Sequence, residues 1–243
     1  MENYNTNTYG DIIADIYDQI HKDLDTSSVV KLLLSFKAKR VLELGVGTGR
    51  IAIPLIQSGL EVYGIESSSK MIETLKNKQY GDKISIIFGD MTTSSINKDF
   101  PLIFCIFNTI FCLTKQQKQI ECFRNVARHL SKDGIFILEC AVPDMGGFAG
   151  NQNISVSSIS TNDVIISTKI HNAASQEVLI QYIVIENSNK IRLIPIKTRY
   201  AWPSELDTMA YIAGLKLKHR WGNWQQNTFT ASSSYHVSVY EKC

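Results

Sequence analysis

The chain has 243 residues, is 44% hydrophobic and 20% charged, and carries a formal net charge of +2. This composition is typical of a water-soluble globular protein, and the length favours one domain with an elaboration over two domains. The near-neutral charge argues against nucleic acid as a partner, because no Lys/Arg run is longer than Lys39-Arg40. The apolar run at 102–113 is too short to span a bilayer and predicts a buried strand.

The cysteines and the amino terminus favour a cytoplasmic protein without a membrane partner. Five cysteines are an odd number, and none forms a Cys-x-x-Cys pair, so we expect reduced thiols, no disulfide framework and no metal site. The first eleven residues, MENYNTNTYGD, are polar and do not look like a signal peptide.

Helices are expected first along the chain. DIIADIYDQIHKDL (11–24) places Ile12, Ile16 and Ile20 on one helical face, and a second helical stretch follows at 27–36. Short apolar strand candidates then alternate with helical stretches, which predicts a parallel sheet covered on both faces. The carboxyl ends of its strands meet at one edge, where ligands bind. The strand candidates are 41–45, 61–66, 84–90, 102–107 and 134–142, and the helical stretches are 49–59, 68–78 and 115–130.

The pattern changes after Pro143. Period-two runs at 154–160, 163–171, 177–186 and 190–200 are joined by the short turns STND, NAAS and NSN, so they predict antiparallel strands. PSELDTMAYIAG (203–214) predicts a helix that begins at Ser204 and ends at Gly214. The stretches 215–224 and 234–242 predict a final antiparallel hairpin.

These elements define an α/β fold: a doubly wound, Rossmann-like seven-stranded sheet with an antiparallel final hairpin and a small antiparallel β cap. We expect a single domain, with the cap laid over the ligand edge. Exposed strand edges in the cap would allow a homodimer or only a lid. The expected parts are a helical cover (1–38), a cofactor-binding core (39–145), the cap (146–200) and a C-terminal helix and hairpin (201–243).

VLELGVGTGR (41–50) is a glycine loop directly after the first strand. A dinucleotide site requires Gly-x-Gly-x-x-Gly; counting from Gly45, the second glycine is Gly47, but the third position is Arg50. A P-loop is excluded too, since no Gly-Lys-Ser/Thr follows. The loop alone is a weak signal of a nucleotide-containing ligand.

Three acidic residues lie at the ends of three successive strands. Glu43 precedes the first glycine, where a carboxylate would repel a pyrophosphate and attract an ammonium group. Glu66 has the spacing at which an acid binds ribose hydroxyls, and Asp90 can accept from the amine of adenine. One such acid is commonly a helix cap, but three at the binding edge favour an adenosyl ligand without phosphates, as in S-adenosylmethionine.

Three stretches, VLELGVGTGR, GIESSSKMI (64–72) and FGDMT (88–92), together resemble the class I S-adenosylmethionine-dependent methyltransferases in order and spacing. The resemblance covers residues 9–142 and, more loosely, the tail. It implies that S-adenosylmethionine is the cofactor. It also implies a methionine site made by the backbone of Gly45 and Gly47, with Glu43 near the ammonium group. Arg50 would pair with the carboxylate, or would be a surface helix residue. The other implied cofactor contacts are Glu66 at the ribose, Ser67 and Met71 around the sugar and adenine (Met71 equally a core residue), Asp90 and Met91 at the adenine edge, and Phe107 and Asn108 near the sulfonium.

The methyl acceptor is harder to predict, because alignment is the main contribution of the enzyme and a base is needed only for a protonated acceptor. No Asn/Asp-Pro-Pro-Tyr/Phe follows the fourth strand, so the chain resembles the small-molecule branch rather than nucleic-acid base methylases. YGDIIADIYD, from Tyr9 to Asp18, is similar to the opening helix of that branch, which covers the pocket. The resemblance places Tyr9 at the cofactor, and Tyr17 and His21 facing the acceptor; an exposed histidine is the alternative for His21.

Other acceptor contacts are expected from the cap and the tail. His171, on a cap strand, is a second candidate for a general base. The segment 199–217 resembles the final helix segment of the small-molecule branch, which implies that Arg199, Tyr200 and Trp202 line the acceptor site. Packing roles are favoured for Trp221, Trp224 and His236.

The leading hypothesis is a methyltransferase of secondary metabolism that methylates a small metabolite at nitrogen, oxygen or an activated aromatic carbon. The alternative is a non-catalytic S-adenosylmethionine-binding regulatory or accessory protein. A nicotinamide dehydrogenase is disfavoured, because Arg50 replaces the glycine that such a site requires.

Overall fold

The computed structural model describes residues 1, 4–187 and 190–243. Its strands are β1 (Arg40–Leu44), β2 (Glu61–Glu66), β3 (Ser85–Phe88), β4 (Phe100–Cys105), β5 (Leu130–Ala141), β6 (Gln152–Ile159), β7 (Asp163–Asn172), β8 (Glu177–Glu186), β9 (Ile191–Arg199), β10 (Leu215–Trp221) and β11 (Tyr235–Lys242). Its α-helices are α1 (Thr8–Ile13), α2 (Tyr17–Ile20), α3 (Thr26–Ser35), α4 (Ala52–Gln57), α5 (Ser69–Lys76), α6 (Gln116–His129) and α7 (Pro203–Ile212).

Seven strands form the main sheet in the order β10-β11-β5-β4-β1-β2-β3. The strands β1 to β5 pair in parallel, whereas β11 pairs antiparallel with both β5 and β10. The predicted Rossmann-like sheet with its antiparallel final hairpin is therefore confirmed. The strand order reverses direction between β1 and β4, and such a switch point opens a ligand crevice at the carboxyl edge.

Both faces of the main sheet are covered by apolar packing, because consecutive residues of its strands are buried on opposite sides. On β1, Leu42 packs into one core cluster with Phe100 and Phe136, while Val41 packs into the other with Phe104. All five residues are at most 1% exposed. Strands that read as continuous apolar runs are typical of a parallel sheet between two layers of helices.

The cap is a separate four-stranded antiparallel sheet in the order β6-β7-β8-β9. One of its faces packs through Ile165 and Ile194 against Ile13 of α1 and Met71 of α5. The cap thus lies over the carboxyl edge of the main sheet, as predicted. Of the expected turn NSN, residues 188 and 189 lie outside the described residues.

Three local predictions were wrong. The single helix over 11–24 is divided into α1 and α2, since Ile13 and Ala14 are buried against the cap and the chain turns there. The apolar run at 102–113 is only partly strand: β4 ends at Cys105, and 109–112 form a 3₁₀ turn. The last helix begins at Pro203 rather than Ser204, because proline suits the first helical position.

The described residues include no helix that is long and apolar enough to cross a membrane. All five cysteines are free thiols, as expected.

Candidate active site

The glycine loop lies between the end of β1 and α4, and its backbone is shaped for close approach. Gly45 and Gly47 have φ of 71° and 54°, a region that L-residues rarely adopt. A Cβ atom on Gly45 would lie 2.5 Å from Thr109 Cγ2, so no side chain fits there. On Gly47 a Cβ would meet almost nothing, which leaves the backbone open to a ligand.

Glu66 ends β2 beside this loop, and its carboxylate is held by main-chain donors. Oε2 accepts from Gly47 N at 2.9 Å, and Oε1 accepts from Ser67 N at 2.9 Å and Ser68 N at 2.8 Å. Burial raises the pKa of Glu66, which the three N–H donors oppose. A carboxylate has about four acceptor directions, so Glu66 retains one for a ligand hydroxyl.

A small cavity opens beyond the glycine loop, and one acidic and one cationic side chain line it. Glu43 is 3% exposed, and its Oε2 has no hydrogen-bond partner among the described residues. Burial raises the pKa of Glu43 to about 8, although Arg50 nearby lowers it. Glu43 and Arg50 line the same cavity, together with Tyr17 and Phe107. An unpartnered acid opposite a guanidinium is complementary to a zwitterionic amino-acid group.

A larger cavity continues along the carboxyl edge and encloses about 790 Å³ of empty space, its open mouth included. Ligand pockets for small molecules have this size. Asp90 lines it with one oxygen, Oδ1, already bonded to Thr92 N at 2.7 Å, which leaves Oδ2 for an exocyclic amine. The other predicted residues along its wall are Tyr9, Ser67, Met71 and Met91.

Aromatic side chains surround His21, which lines neither cavity itself and packs behind Tyr17, a residue that lines both. Its ring lies 4.5 Å from the ring of Tyr17 and 5.1 Å from that of Phe107, between centroids. Its Nε2 lies 3.5 Å from the Tyr9 hydroxyl. Burial, followed by the charge of Arg50, lowers the pKa of His21 to about 4, so this imidazole is neutral at pH 7. Burial likewise raises the pKa of Tyr17, to about 12.

Polar contacts hold the cover, residues 1–38, against the core. Ser68 Oγ donates to Asp11 at 2.6 Å. Asp18 accepts from Thr48 Oγ1 at 2.7 Å and forms an ion pair with Lys78 at 2.5 Å. The cover therefore closes the cavities from the side opposite the glycine loop.

The candidates from the cap and the tail lie elsewhere. His171 Nε2 is 3.1 Å from the hydroxyl of Tyr200, which is 9% exposed. Arg199 is buried, and its guanidinium donates to the side chains of Gln119, Gln176 and Glu205. Trp202 is 43% exposed, directly before α7. None of these residues lines the two cavities, and their acceptor-binding roles remain predictions. Packing roles were expected for three residues, of which Trp224 and His236 are buried and Trp221 is half-buried.

Asn108 lines neither cavity, and its side chain contacts the neighbouring strand instead. Its Oδ1 accepts from Ala141 N at 2.6 Å, which ties the end of β4 to β5. Its proposed cofactor contact remains a prediction.

Several lining residues were missed by the sequence-based prediction. Thr109, Cys112 and Leu113 line the large cavity from the 3₁₀ turn after β4. The only signal for them was the polar pair Asn108-Thr109, which interrupts an otherwise apolar run. No sequence motif pointed to Glu139 on β5, which accepts a hydrogen bond from Phe107 N at 2.8 Å.

A family model described as a methyltransferase domain matches residues 41–134. The structure of the CcbJ methyltransferase from Streptomyces caelestis is 34% identical, has a TM-score of 0.92, and is matched over 99% of this chain and 100% of that chain. Cypemycin N-terminal methyltransferase from Streptomyces sp is 24% identical over 239 residues, which are 96% of this chain and 97% of that protein. A third similarity is to the fold of S-adenosylmethionine-bound CalS10, an amino pentose methyltransferase from Micromonospora echinaspora, at 15% identity and a TM-score of 0.67 over 99% and 93% of the two chains.

The chain belongs to the class I S-adenosylmethionine-dependent methyltransferases. It is an enzyme, and S-adenosylmethionine is its cofactor. The residues present fit this molecule. Glu43, whose Oε2 has no partner, and the Arg50 guanidinium suit its amino-acid end, and the open backbone at Gly47 allows it to approach closely. The cofactor supplies an electrophilic methyl group on a sulfonium.

Proposed function

We propose that this enzyme transfers the methyl group of S-adenosylmethionine to an amine nitrogen of a small metabolite or a peptide terminus. The observation that supports the proposal is the packing of His21 between the rings of Tyr17 and Phe107, where burial and the charge of Arg50 lower its pKa to about 4. A site where burial and Arg50 hold an imidazole uncharged also disfavours an ammonium ion. An amine that docks beside His21 is therefore bound as the free base, which is the nucleophilic form.

The reaction needs little else from the protein. The nitrogen lone pair forms a bond to the methyl carbon, the carbon–sulfur bond breaks, and its electron pair remains on sulfur. The proton of the methylated nitrogen then leaves to solvent. With a pKa of about 4, His21 does not retain a proton at neutral pH, so its role is to orient Tyr9 and the acceptor.

The relatives support nitrogen as the acceptor atom and a role in secondary metabolism. Cypemycin N-terminal methyltransferase carries nitrogen methylation in its name, and CalS10 is an amino pentose methyltransferase involved in calicheamicin biosynthesis.

The test is an assay of S-adenosylhomocysteine formation with matched acceptors. Amino sugars, free amino-terminal peptides and cyclic secondary amines form one arm, and their hydroxyl and N-acetyl counterparts form the other. Turnover is expected only with amines, and it should rise with pH up to the pKa of the free acceptor. Turnover with hydroxyl acceptors alone would contradict the proposal.

We also propose that the protein forms a homodimer through the outer face of the cap. Seven apolar side chains of the cap are 39 to 75% exposed: Ile154, Val156, Ile159, Ile170, Ile185, Ile191 and Leu193. Cross-strand pairing aligns Val156, Ile166, Ile183 and Leu193 in one row on the face opposite the cover. The patch exposes several hundred Å², comparable to the roughly 800 Å² that one subunit buries in a stable interface. The apolar row favours a second copy of the same face as the partner.

Sedimentation velocity tests the dimer. The wild type should sediment as a dimer, and the double variant Val156→Lys/Leu193→Lys as a folded monomer. Tyr211→Lys is the control, because Tyr211 is 74% exposed on α7 and lies outside the cap. A monomeric wild type would contradict this proposal without affecting the one on nitrogen methylation.

We further propose that cover, core, cap and C-terminal segment act as one unit, since Asp15 of the cover is paired with Arg192 of the cap.

A further inference from the structure

Two consecutive residues after β4 have left-handed backbone. Phe107 and Asn108 have φ of 56° and 61°. Asparagine adopts this conformation readily, but an aromatic residue rarely does, so the surrounding structure must hold Phe107 in place.

The strand β5 holds this turn through three hydrogen bonds. The carboxylate of Glu139 accepts from Phe107 N at 2.8 Å. The main-chain oxygen of Glu139 accepts from Asn108 N at 3.4 Å. Two residues further along β5, Ala141 N donates to Asn108 Oδ1 at 2.6 Å. The side chain of Trp224, buried in the loop before β11, lowers the pKa of Glu139, which burial raises.

The turn decides where the Phe107 ring lies. The ring is 5.5 Å from the Arg50 guanidinium carbon and 5.1 Å from the His21 ring, between centroids for the latter. It lines the small cavity together with Glu43. A different backbone conformation at Phe107 would move the ring away from Arg50 and open the cavity wall.

We propose that Glu139 is a positioning residue for the methyl-transfer site. Its carboxylate fixes Phe107 in the left-handed conformation that places the ring against Arg50 and His21, at the methionine end of the cofactor. It acts through Phe107 and does not itself line either cavity. Either oxygen of a carboxylate can accept from Phe107 N, whereas an amide in its place has only one oxygen that can do so.

The proposal is tested by a double-mutant cycle on cofactor binding, which does not depend on the acceptor. Glu139→Ala should weaken calorimetric binding of S-adenosylmethionine about tenfold, and Glu139→Gln by less. In a Phe107→Gly background, Glu139→Ala should add less than about twofold, because the ring is gone and glycine adopts this backbone freely. Additive losses would overturn the proposal.

Controls separate positioning from general destabilisation. Trp224→Phe changes the neighbour of Glu139 and leaves the Phe107 contact intact, so it should change binding by less than about twofold. Glu73→Ala, at an exposed site on α5, should have no effect on binding. If Glu139→Ala does not fold, the Glu139→Gln cycle replaces it, and additivity there overturns the proposal equally. The emission of Trp224 should shift in both Glu139 variants while thermal melting of Glu139→Gln stays close to wild type.

Discussion

The two sides of the active site are built by different means. On the cofactor side, the cavities are lined by main-chain groups of the glycine loop and by the carboxylates of Glu43, Glu66 and Asp90. On the cover side, they are lined by the aromatic rings of Tyr9, Tyr17 and Phe107, with His21 packed against the last two. The first side is complementary to charged and hydroxyl groups, and the second is weakly polar.

Burial shifts the pKa of a titratable side chain on each side, in opposite directions. Burial raises the pKa of Glu43 to about 8 and lowers that of His21 to about 4. In each case the buried group favours its neutral form. We therefore expect Glu43 to ionise when a cationic ligand binds beside it, and His21 to stay uncharged.

The largest expected effect is at Glu66. Glu66→Ala removes the acceptor for the ribose hydroxyls and leaves Gly47 N, Ser67 N and Ser68 N without their partner. Calorimetric affinity for S-adenosylmethionine should fall more than about 100-fold. Glu61→Ala is the control, because Glu61 begins the same strand and is paired with Arg40 at the surface. Unchanged affinity in Glu66→Ala would refute the role assigned to this side of the site.

A second prediction separates stability from binding at Glu43. Its folded pKa of about 8 exceeds the ordinary value of 4.5 for a glutamate, so the stability from its protonated form is complete below 4.5 and is lost as pH rises through about 8. Glu43→Gln should therefore melt higher than wild type at pH 8, by an amount that shrinks toward pH 5. The difference is roughly 5 kcal/mol at most.

The same variant should bind S-adenosylmethionine about 10- to 100-fold more weakly, since the ammonium group loses its carboxylate. Binding to wild type at pH 7 should release close to one proton, measured by calorimetry in buffers of different ionisation enthalpy, and the release should vanish in Glu43→Gln. A variant that binds as tightly as wild type would show that Glu43 does not face the cofactor.

The contrast between the two sides explains what the sequence could predict. Glu43, Gly45, Gly47 and Glu66 lie within a short stretch, and their spacing follows from the geometry of a strand, a turn and a strand. Parallel strands place their carboxyl ends together, so local patterns are sufficient to predict a site at this edge. The sheet order followed from the same alternation of strands and helices.

The cover side could not be predicted to the same depth. Tyr9, Phe107 and Glu139 are distant in sequence and meet only through tertiary packing. The left-handed backbone at Phe107 and Asn108 contradicts local propensity, which favoured a continued strand. Arg199 is a different case. The resemblance to the small-molecule branch predicted that it lines the acceptor site, and in the structure its guanidinium donates to Gln119 and Glu205.

A third prediction concerns the cover side. His21→Gln should lower kcat about tenfold while the affinity for S-adenosylmethionine changes by less than about twofold, because orientation of the acceptor is lost and the charged cofactor contacts remain. The wild-type kcat should show no histidine titration near pH 6.5, given a pKa of about 4. Tyr9→Phe tests the 3.5 Å contact from its other end and should affect kcat in the same direction. A large loss of cofactor affinity in His21→Gln would instead assign this residue to the cofactor side.

The smallest expected effect lies where the two sides join. Asp18 links the cover to Thr48 of the glycine loop and to Lys78. None of these three residues lines the large cavity. Asp18→Asn retains a polar contact to Thr48 but loses the ion pair, which is partly exposed and worth roughly 0.2–1 kcal/mol. Stopped-flow dissociation of S-adenosylmethionine should therefore become about two- to fivefold faster, with little change in the association rate, since the cover opens more often. Lys218→Gln, which removes a surface pair with Glu241, should leave dissociation unchanged. Equal rates in Asp18→Asn and wild type would show that the cover does not govern cofactor release.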